Sequence, residues 1–201
     1  MNTVIIQYNA GNIQSVLYAL ERLGVNATVT DNVEAIQAAD KVIFPGVGEA
    51  STAMQYLKAR ELDQVIKNLK QPVFGICLGM QLMCAYSEEN NTNCLGIFEE
   101  QVKLFKPTDA AIKVPQIGWN NITNLKTDLF KGVKEESFAY FVHGYYASLG
   151  SHTIATTNYI QPYSSALQKD NFYGVQFHPE KSAKVGEQII QNFLNLKLSN
   201  S

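Results

Sequence analysis

The sequence predicts an α/β protein with a mostly parallel central sheet, helices on both faces and a smaller antiparallel portion. Three observations carry this. Short apolar runs alternate with helix-periodic segments through the first half. Those runs are apolar at successive positions, as strands covered on both faces are. From Gly96 to Ala166 the chain becomes rich in Thr, Asn, Pro and Tyr, with short β-like runs such as Ala139-Tyr140-Phe141-Val142, the composition of antiparallel strands and shaping loops.

The elements follow in order. Val4-Ile5-Ile6-Gln7-Tyr8 is a β-rich run, and Asn9-Ala10-Gly11-Asn12 a turn. Ile13, Val16, Leu17, Leu20 and Leu23 then recur at helical spacing until Gly24 stops the helix. Ala27 to Thr30 reads as a second strand, Val33 to Ala39 as a short helix and Lys41 to Phe44 as a third strand. Ser51 to Lys58 and Leu62 to Lys70 read as helices. After Gln71-Pro72, Val73-Phe74-Gly75-Ile76 is an apolar strand running into Cys77, with a helix through Leu78, Leu82 and Met83. The last strand, Tyr173 to Phe177, leads to His178, and a helix spans about Val185 to Leu196. The 201 residues contain no linker, repeat or low-complexity tract, so one domain over 1–201 is expected.

Composition narrows the function classes. Lys+Arg number 16 against 18 Asp+Glu, for a net charge of -2 with no run of like charge. A nucleic-acid binder would carry a basic face, and no stretch is long and apolar enough for a bilayer. The start, Met1-Asn2-Thr3-Val4-Ile5-Ile6-Gln7, lacks the pattern of an export signal. The 3 cysteines, Cys77, Cys84 and Cys94, make neither a disulfide framework nor a paired metal motif. A cytoplasmic protein without metal or cofactor, acting on a small molecule, is expected.

Gly75-Ile76-Cys77-Leu78-Gly79 lies between an apolar strand and a helix. This is the glycine-flanked pattern of a nucleophile elbow with cysteine at its centre. The sharp turn lifts one side chain out of the sheet, and the helix N-terminus beneath favours negative charge on the sulfur. The Leu78 N–H is placed to stabilise a developing oxyanion. Taken alone, the elbow is equally compatible with a buried structural cysteine. Cys84, on the same helix, reads as a core residue, and Cys94 sits in a polar turn.

His178 follows the run Gly174-Val175-Gln176-Phe177 and precedes Pro179-Glu180. That puts its imidazole at the C-terminal edge of the sheet, where ligands bind in parallel α/β folds and where the Cys77 elbow emerges. Glu180, two residues on, shares a face with His178 in an extended segment and can orient the ring; its alternative is a solvated loop carboxylate. His143, in the aromatic run Phe138 to Tyr146, reads as a hydrogen-bonded wall residue, and His152 as surface.

These stretches together resemble the class I (triad) glutamine amidotransferases, whose fold is flavodoxin-like. Phe74 to Gln81 and Gly174 to Glu180 carry the superfamily likeness. Tyr8 to Asn12, Pro45-Gly46-Val47-Gly48, Val114 to Asn120 and Tyr140 to Tyr145 are similar to the glutaminase subunits of imidazole glycerol phosphate synthase, from about residue 4 to 197. The resemblance implies that Cys77 attacks the carboxamide of L-glutamine to form a thioester, that His178 moves the protons, and that Glu180 orients His178. It implies an oxyanion strand at Pro45 to Gly48 whose backbone N–H near Val47 turns to join that of Leu78. Gly46, Gly48, Gln81, Gly144 and Tyr145 resemble substrate-binding positions. The family commonly has Ser where this chain has Gly144, and His-Met where it has Gln116-Ile117.

No segment of the sequence is left over for an ammonia acceptor. The resemblance implies a heterodimeric partner, a cyclase subunit built as a (β/α)8 barrel, with Asn12, Trp119, Asn120 and Lys181 as interface candidates. Trp119 also reads as a plain core aromatic. A glutaminase serving another synthase, including a nucleotide-sugar amination paralogue, and a non-catalytic regulator on the same fold are the rival readings. The segment Gly118-Trp119-Asn120 argues against most other synthases, and the intact Cys77, His178 and Glu180 set argues against the regulator.

Overall fold

The computed structural model describes residues 1–9 and 11–197. In the first half, β1 (Thr3–Ile6), α1 (Ile13–Arg22), β2 (Ala27–Thr30), α2 (Val33–Gln37) and β3 (Lys41–Phe44) alternate strand with helix. They are followed by α3 (Ala50–Ala59), α4 (Leu62–Asn68), β4 (Val73–Ile76) and α5 (Leu78–Met83). The second half is strand-rich: β5 (Tyr86–Ser87), β6 (Thr92–Asn93), β7 (Gln101–Leu104), β8 (Gln116–Ile122), β9 (Ser137–His143) and β10 (Tyr145–Ala147). It closes with β11 (Thr153–Asn158), β12 (Pro162–Lys169), β13 (Phe172–Val175) and α6 (Ala183–Asn195).

The main sheet runs β2-β1-β3-β4-β13-β12-β10-β7-β5-β6, with β11 paired to β12. From β2 to β13 every pairing is parallel; at β12 the sheet turns antiparallel. β8 and β9 form a separate antiparallel ribbon.

Both faces of the parallel part are covered, which is why β1, β3 and β4 are buried at every position. Period-two alternation sorts the side chains. Val4, Ile6, Val42, Phe44 and Val73 pack with residues of α2, α3, α4 and α5. Ile5, Ile43, Phe74, Ile76 and Val175 pack with α1, α6 and the inner side of the ribbon. Phe74 stacks on Phe193 of α6, ring centroids 4.8 Å apart. The last strand ends at Val175, two residues earlier than its apolar pattern suggests, because the chain bends toward the site there.

β4 and β13 are parallel neighbours in register Val175↔Ile76. Whatever follows either strand therefore emerges at the same edge. Cys77 follows β4 and His178 lies three residues beyond β13.

Candidate active site

Cys77 stands between β4 and α5 with φ 53° and ψ -110°. A non-glycine residue in that region is strained and is held there by its surroundings. Its own N–H donates to the Val175 carbonyl at 2.8 Å. The flanking glycines allow the turn. A Cβ on Gly79 would lie 1.8 Å from the Phe44 carbonyl oxygen, and one on Gly75 2.8 Å from the Met80 nitrogen. The sulfur lies at the wall of a cavity of about 280 Å³, which also meets Val47, Gly48, Leu78, Gln81, Glu89, Gly144 and Tyr145. This is the scale of a small-molecule pocket.

His178 is held by its backbone from two sides. Its N–H donates to the Tyr140 carbonyl of β9 at 2.8 Å, and its carbonyl accepts from the Ser182 hydroxyl at 2.7 Å. Its Nδ1–H donates to Glu180 Oε1 at 2.7 Å, which leaves Nε2 for the Cys77 sulfur. Burial alone would push the imidazole down. The hydrogen bonds of Cys77 and Glu180, with their charges, win and raise its pKa to about 10. The local path differs from the extended segment expected: Pro179 opens a 3-10 turn, Pro179–Lys181, and that turn swings the Glu180 carboxylate back onto the ring.

The segment expected to serve as the oxyanion strand has its backbone groups occupied. The Leu78 N–H donates to the Gly46 carbonyl at 3.2 Å, so the donor expected to face substrate is occupied. The Val47 carbonyl accepts from the Gly11 N–H at 3.3 Å, and Gly48 has φ 131°, a conformation open to glycine alone. A turn of the Gly46–Val47 peptide plane would release Leu78 and bring the Val47 N–H round.

Gln81 lines the cavity, but its amide nitrogen is committed inside the protein: to the Tyr145 carbonyl at 3.0 Å and to Gln176 Oε1 at 2.9 Å. Only its oxygen remains for a ligand. Gly144, without a side chain, offers backbone, and a Cβ there would meet Val114 and Pro115 only at ordinary contact distance.

Three residues at or around the site, Gln176, Glu89 and Tyr8, escape a reading of the sequence, and a fourth, Asn12, has a contact the sequence did not announce. Gln176 is fully buried and donates its amide to the Cys77 sulfur at 3.7 Å; a polar residue inside an apolar run of the sequence is the signal that could have found it. Glu89 lines the cavity, accepts from the Ala50 N–H at 2.8 Å, and has its pKa raised, chiefly by burial. In the sequence it looks like part of a polar surface turn. Tyr8 donates to the Pro45 carbonyl at 2.6 Å. Asn12, expected as an interface residue, is half-buried and donates to Glu180 Oε1, the oxygen that His178 also uses.

The other interface candidates are on the outside. Trp119 is 53% exposed and meets Tyr140 edge-on across the ribbon, centroids 5.8 Å apart, so it is not a core aromatic. Ile117 and Phe138 are exposed on the same ribbon, Asn120 donates to the Asn158 carbonyl, and Lys181 is exposed. His143 is a wall residue. Its Nδ1–H donates to the Tyr145 carbonyl at 2.6 Å, and burial lowers its pKa to about 4. His152 is not a free surface group: it pairs with the buried Glu100 at 3.0 Å. Cys84 is buried and Cys94 half-buried, the pKa of each raised by desolvation, that of Cys94 to about 12.

The sequence profile of the class I glutamine amidotransferases matches residues 4–196. The chain belongs to that family. Its relatives within these amidotransferases include the imidazole glycerol phosphate synthase subunit HisH of Bacteroides fragilis, 60% identical over 98% of this chain and 100% of that protein. The protein of the same description from Bacteroides thetaiotaomicron is 58% identical with the same coverage. Solved structures agree on the amidotransferase fold. One described as a glutamine amidotransferase superposes with a TM-score of 0.72 at 18% identity, covering 95% of this chain and 96% of its own. PurLQS from Thermotoga maritima gives 0.69 at 16% identity, covering 96% and 97%. The expected α/β fold and glutamine amidotransferase activity are thus those of the chain.

Proposed function

We propose that this chain, as one domain over residues 1–201, is the glutaminase subunit of an imidazole glycerol phosphate synthase and acts in histidine biosynthesis. The observation that carries this reading is 60% identity to a HisH protein along its whole length, joined to a cavity walled by Cys77, whose sulfur hydrogen-bonds the His178–Glu180 pair behind it.

In the reading, glutamine enters the cavity with its carboxamide at Cys77. The carboxylate of Glu89 and the oxygen of Gln81 receive its α-ammonium group, and the backbone at Gly144 and Tyr145 holds its carboxylate. The sulfur attacks the carboxamide carbon and forms a tetrahedral intermediate, whose oxyanion the N–H groups of Leu78 and Val47 stabilise. His178, carrying a proton at Nε2, gives it to the departing nitrogen, and ammonia leaves as the thioester forms. The neutral ring then takes a proton from water, which attacks the thioester. Glutamate departs as the proton passes from His178 back to sulfur. Glu180 keeps the ring oriented and offsets its charge through both halves.

Ammonia released here serves an acceptor on a partner chain. That partner is the cyclase subunit, a (β/α)8 barrel, where ammonia reacts with a phosphoribulosyl aminoimidazole-carboxamide intermediate. The products are imidazole glycerol phosphate and an aminoimidazole-carboxamide ribonucleotide. The exposed ribbon with Trp119, Asn120 and the nearby Lys181 is the docking face, and Asn12, bonded to Glu180, adjoins it at Lys181. The Leu78–Gly46 hydrogen bond supports a hydrolase that idles until its partner is in place. Three free cysteines support a reducing, cytoplasmic setting; among the described residues no helix is long and apolar enough to cross a membrane.

The test is glutamate release from glutamine by the chain alone, with the barrel subunit, and with the barrel subunit plus its nucleotide ligand. Low release alone and strong release with the liganded partner are expected. Equal release in all three would defeat the coupling.

A further inference from the structure

Three consecutive carbonyls of the segment after β3 each have one partner. Pro45 accepts from the Tyr8 hydroxyl at 2.6 Å, Gly46 from the Leu78 N–H at 3.2 Å and Val47 from the Gly11 N–H at 3.3 Å. Bringing the Val47 N–H to the sulfur turns the Gly46–Val47 peptide plane, because that plane holds both the Gly46 oxygen and the Val47 nitrogen. The Leu78 contact breaks in that motion. The plane immediately upstream, Pro45–Gly46, is the one that Tyr8 grips.

The grip is built into the core. Tyr8 is 5% exposed and packs on Phe44, ring centroids 5.2 Å apart. Its hydroxyl fills the space a side chain at residue 46 would need: a Cβ on Gly46 would stand 2.1 Å from the Tyr8 oxygen. Burial, then the charge of Cys77, push the phenol pKa well above its usual value, so the hydroxyl keeps its proton and stays a donor.

We propose that Tyr8 is a positioning residue for the oxyanion hole: its hydroxyl anchors the Pro45–Gly46 plane, confines rotation to the Gly46–Val47 plane, and so sets where the Val47 N–H arrives. This rests on reading Cys77 as the nucleophile and Pro45 to Gly48 as the oxyanion strand. Stabilisation of an oxyanion depends steeply on donor placement, so a loosened anchor costs turnover. In the proposed binding mode glutamine is held by Gln81, Glu89 and the Gly144 backbone, whereas the Tyr8 hydroxyl bonds the Pro45 carbonyl, so KM is spared.

The experiment compares wild type, Tyr8→Phe and Cys77→Ala as full chains with the cyclase subunit present. It measures kcat and KM for glutamine, and the rate of Cys77 alkylation by iodoacetamide. Alkylation displaces iodide at carbon and forms no oxyanion, so it reports the nucleophile without the hole. For Tyr8→Phe the expected result is kcat lower by about tenfold to a hundredfold, less than the roughly hundredfold to thousandfold of a deleted oxyanion donor because the donor is displaced and not removed, with KM and alkylation within about twofold of wild type. Unchanged kcat, or a raised kcat, overturns the proposal. So does an equal fall in kcat and alkylation, which assigns Tyr8 to the fold alone. If Cys77→Ala still hydrolyses glutamine at the wild-type rate, the reading beneath the proposal fails and takes it along. A dead Cys77→Ala beside an unaffected Tyr8→Phe sinks only the role of Tyr8.

Discussion

The two histidines near the cavity are tuned in opposite directions, and the cause in each case is the set of neighbours. His178 loses solvation but gains Cys77 and Glu180, and its pKa rises to about 10. His143 loses solvation, gains the Tyr145 carbonyl at Nδ1 and the neutral Tyr163 hydroxyl at Nε2 but no carboxylate, with the charge of His178 nearby, and its pKa falls to about 4. The first can hold and deliver a proton at neutral pH; the second stays neutral and shapes the wall. The sign for stability follows by linkage. A His with a lowered folded-state pKa stabilises the fold above about 6.5, its unfolded value, and that contribution is lost as pH falls toward about 4. His178, raised, acts the other way: its contribution is full below about 6.5 and is lost as pH rises through about 10. Urea unfolding of wild type and His143→Gln between these lower limits should therefore show a steeper acid loss in wild type than in the variant. Equal slopes would mean that His143 is not held neutral.

At the scale of elements, the elbow works because two backbones touch. The segment after β3 passes so close to α5 that residue 79 has no room for a side chain, with the Phe44 carbonyl 1.8 Å from where a Cβ would be. Gly79→Ala must push β3 and α5 apart, and overpacking of this kind costs roughly 1–3 kcal/mol. Denaturant titration should show that loss, together with slower alkylation of Cys77, since α5 sets the height of the sulfur. A variant as stable as wild type would contradict the close approach. The elbow was legible because its signal is local: glycine, apolar strand, helix. Tyr8, Asn12 and Glu89 were not, because each works across the chain. Tyr8 reaches residue 45 and Asn12 reaches residue 180, and neither reach leaves a spacing in the sequence. The Pro179–Lys181 turn was hidden for a different reason: two residues of an extended segment and of a 3-10 turn can both bring a carboxylate beside a ring.

At the scale of the whole molecule, the parallel strands do the work of assembly. The pairing of β4 with β13 brings residues 77 and 178 to one edge although a hundred positions separate them, roughly the length of a small domain in itself. The sheet alternation and the shared edge could be read from apolar runs, and the fold expected from them is the fold found. Ala139 to Val142 could be read as an antiparallel strand, but the pairing of β8 with β9 into a separate ribbon could not. Its inner side joins the core, its outer side exposes Ile117, Trp119 and Phe138, and only the three-dimensional arrangement separates the two. That ribbon is also tied to the candidate site, since the Tyr140 carbonyl accepts from the His178 N–H. The central claim remains that Cys77 is the nucleophile of a glutamine hydrolase. Intact-mass and peptide mapping of the full chain, treated with an electrophilic glutamine analogue beside the cyclase subunit, tests it most directly. The account predicts one equivalent of label, on Cys77, and none on a folded Cys77→Ala variant that also releases no glutamate. Label on Cys84 or Cys94, or glutamate still released by Cys77→Ala, would contradict it.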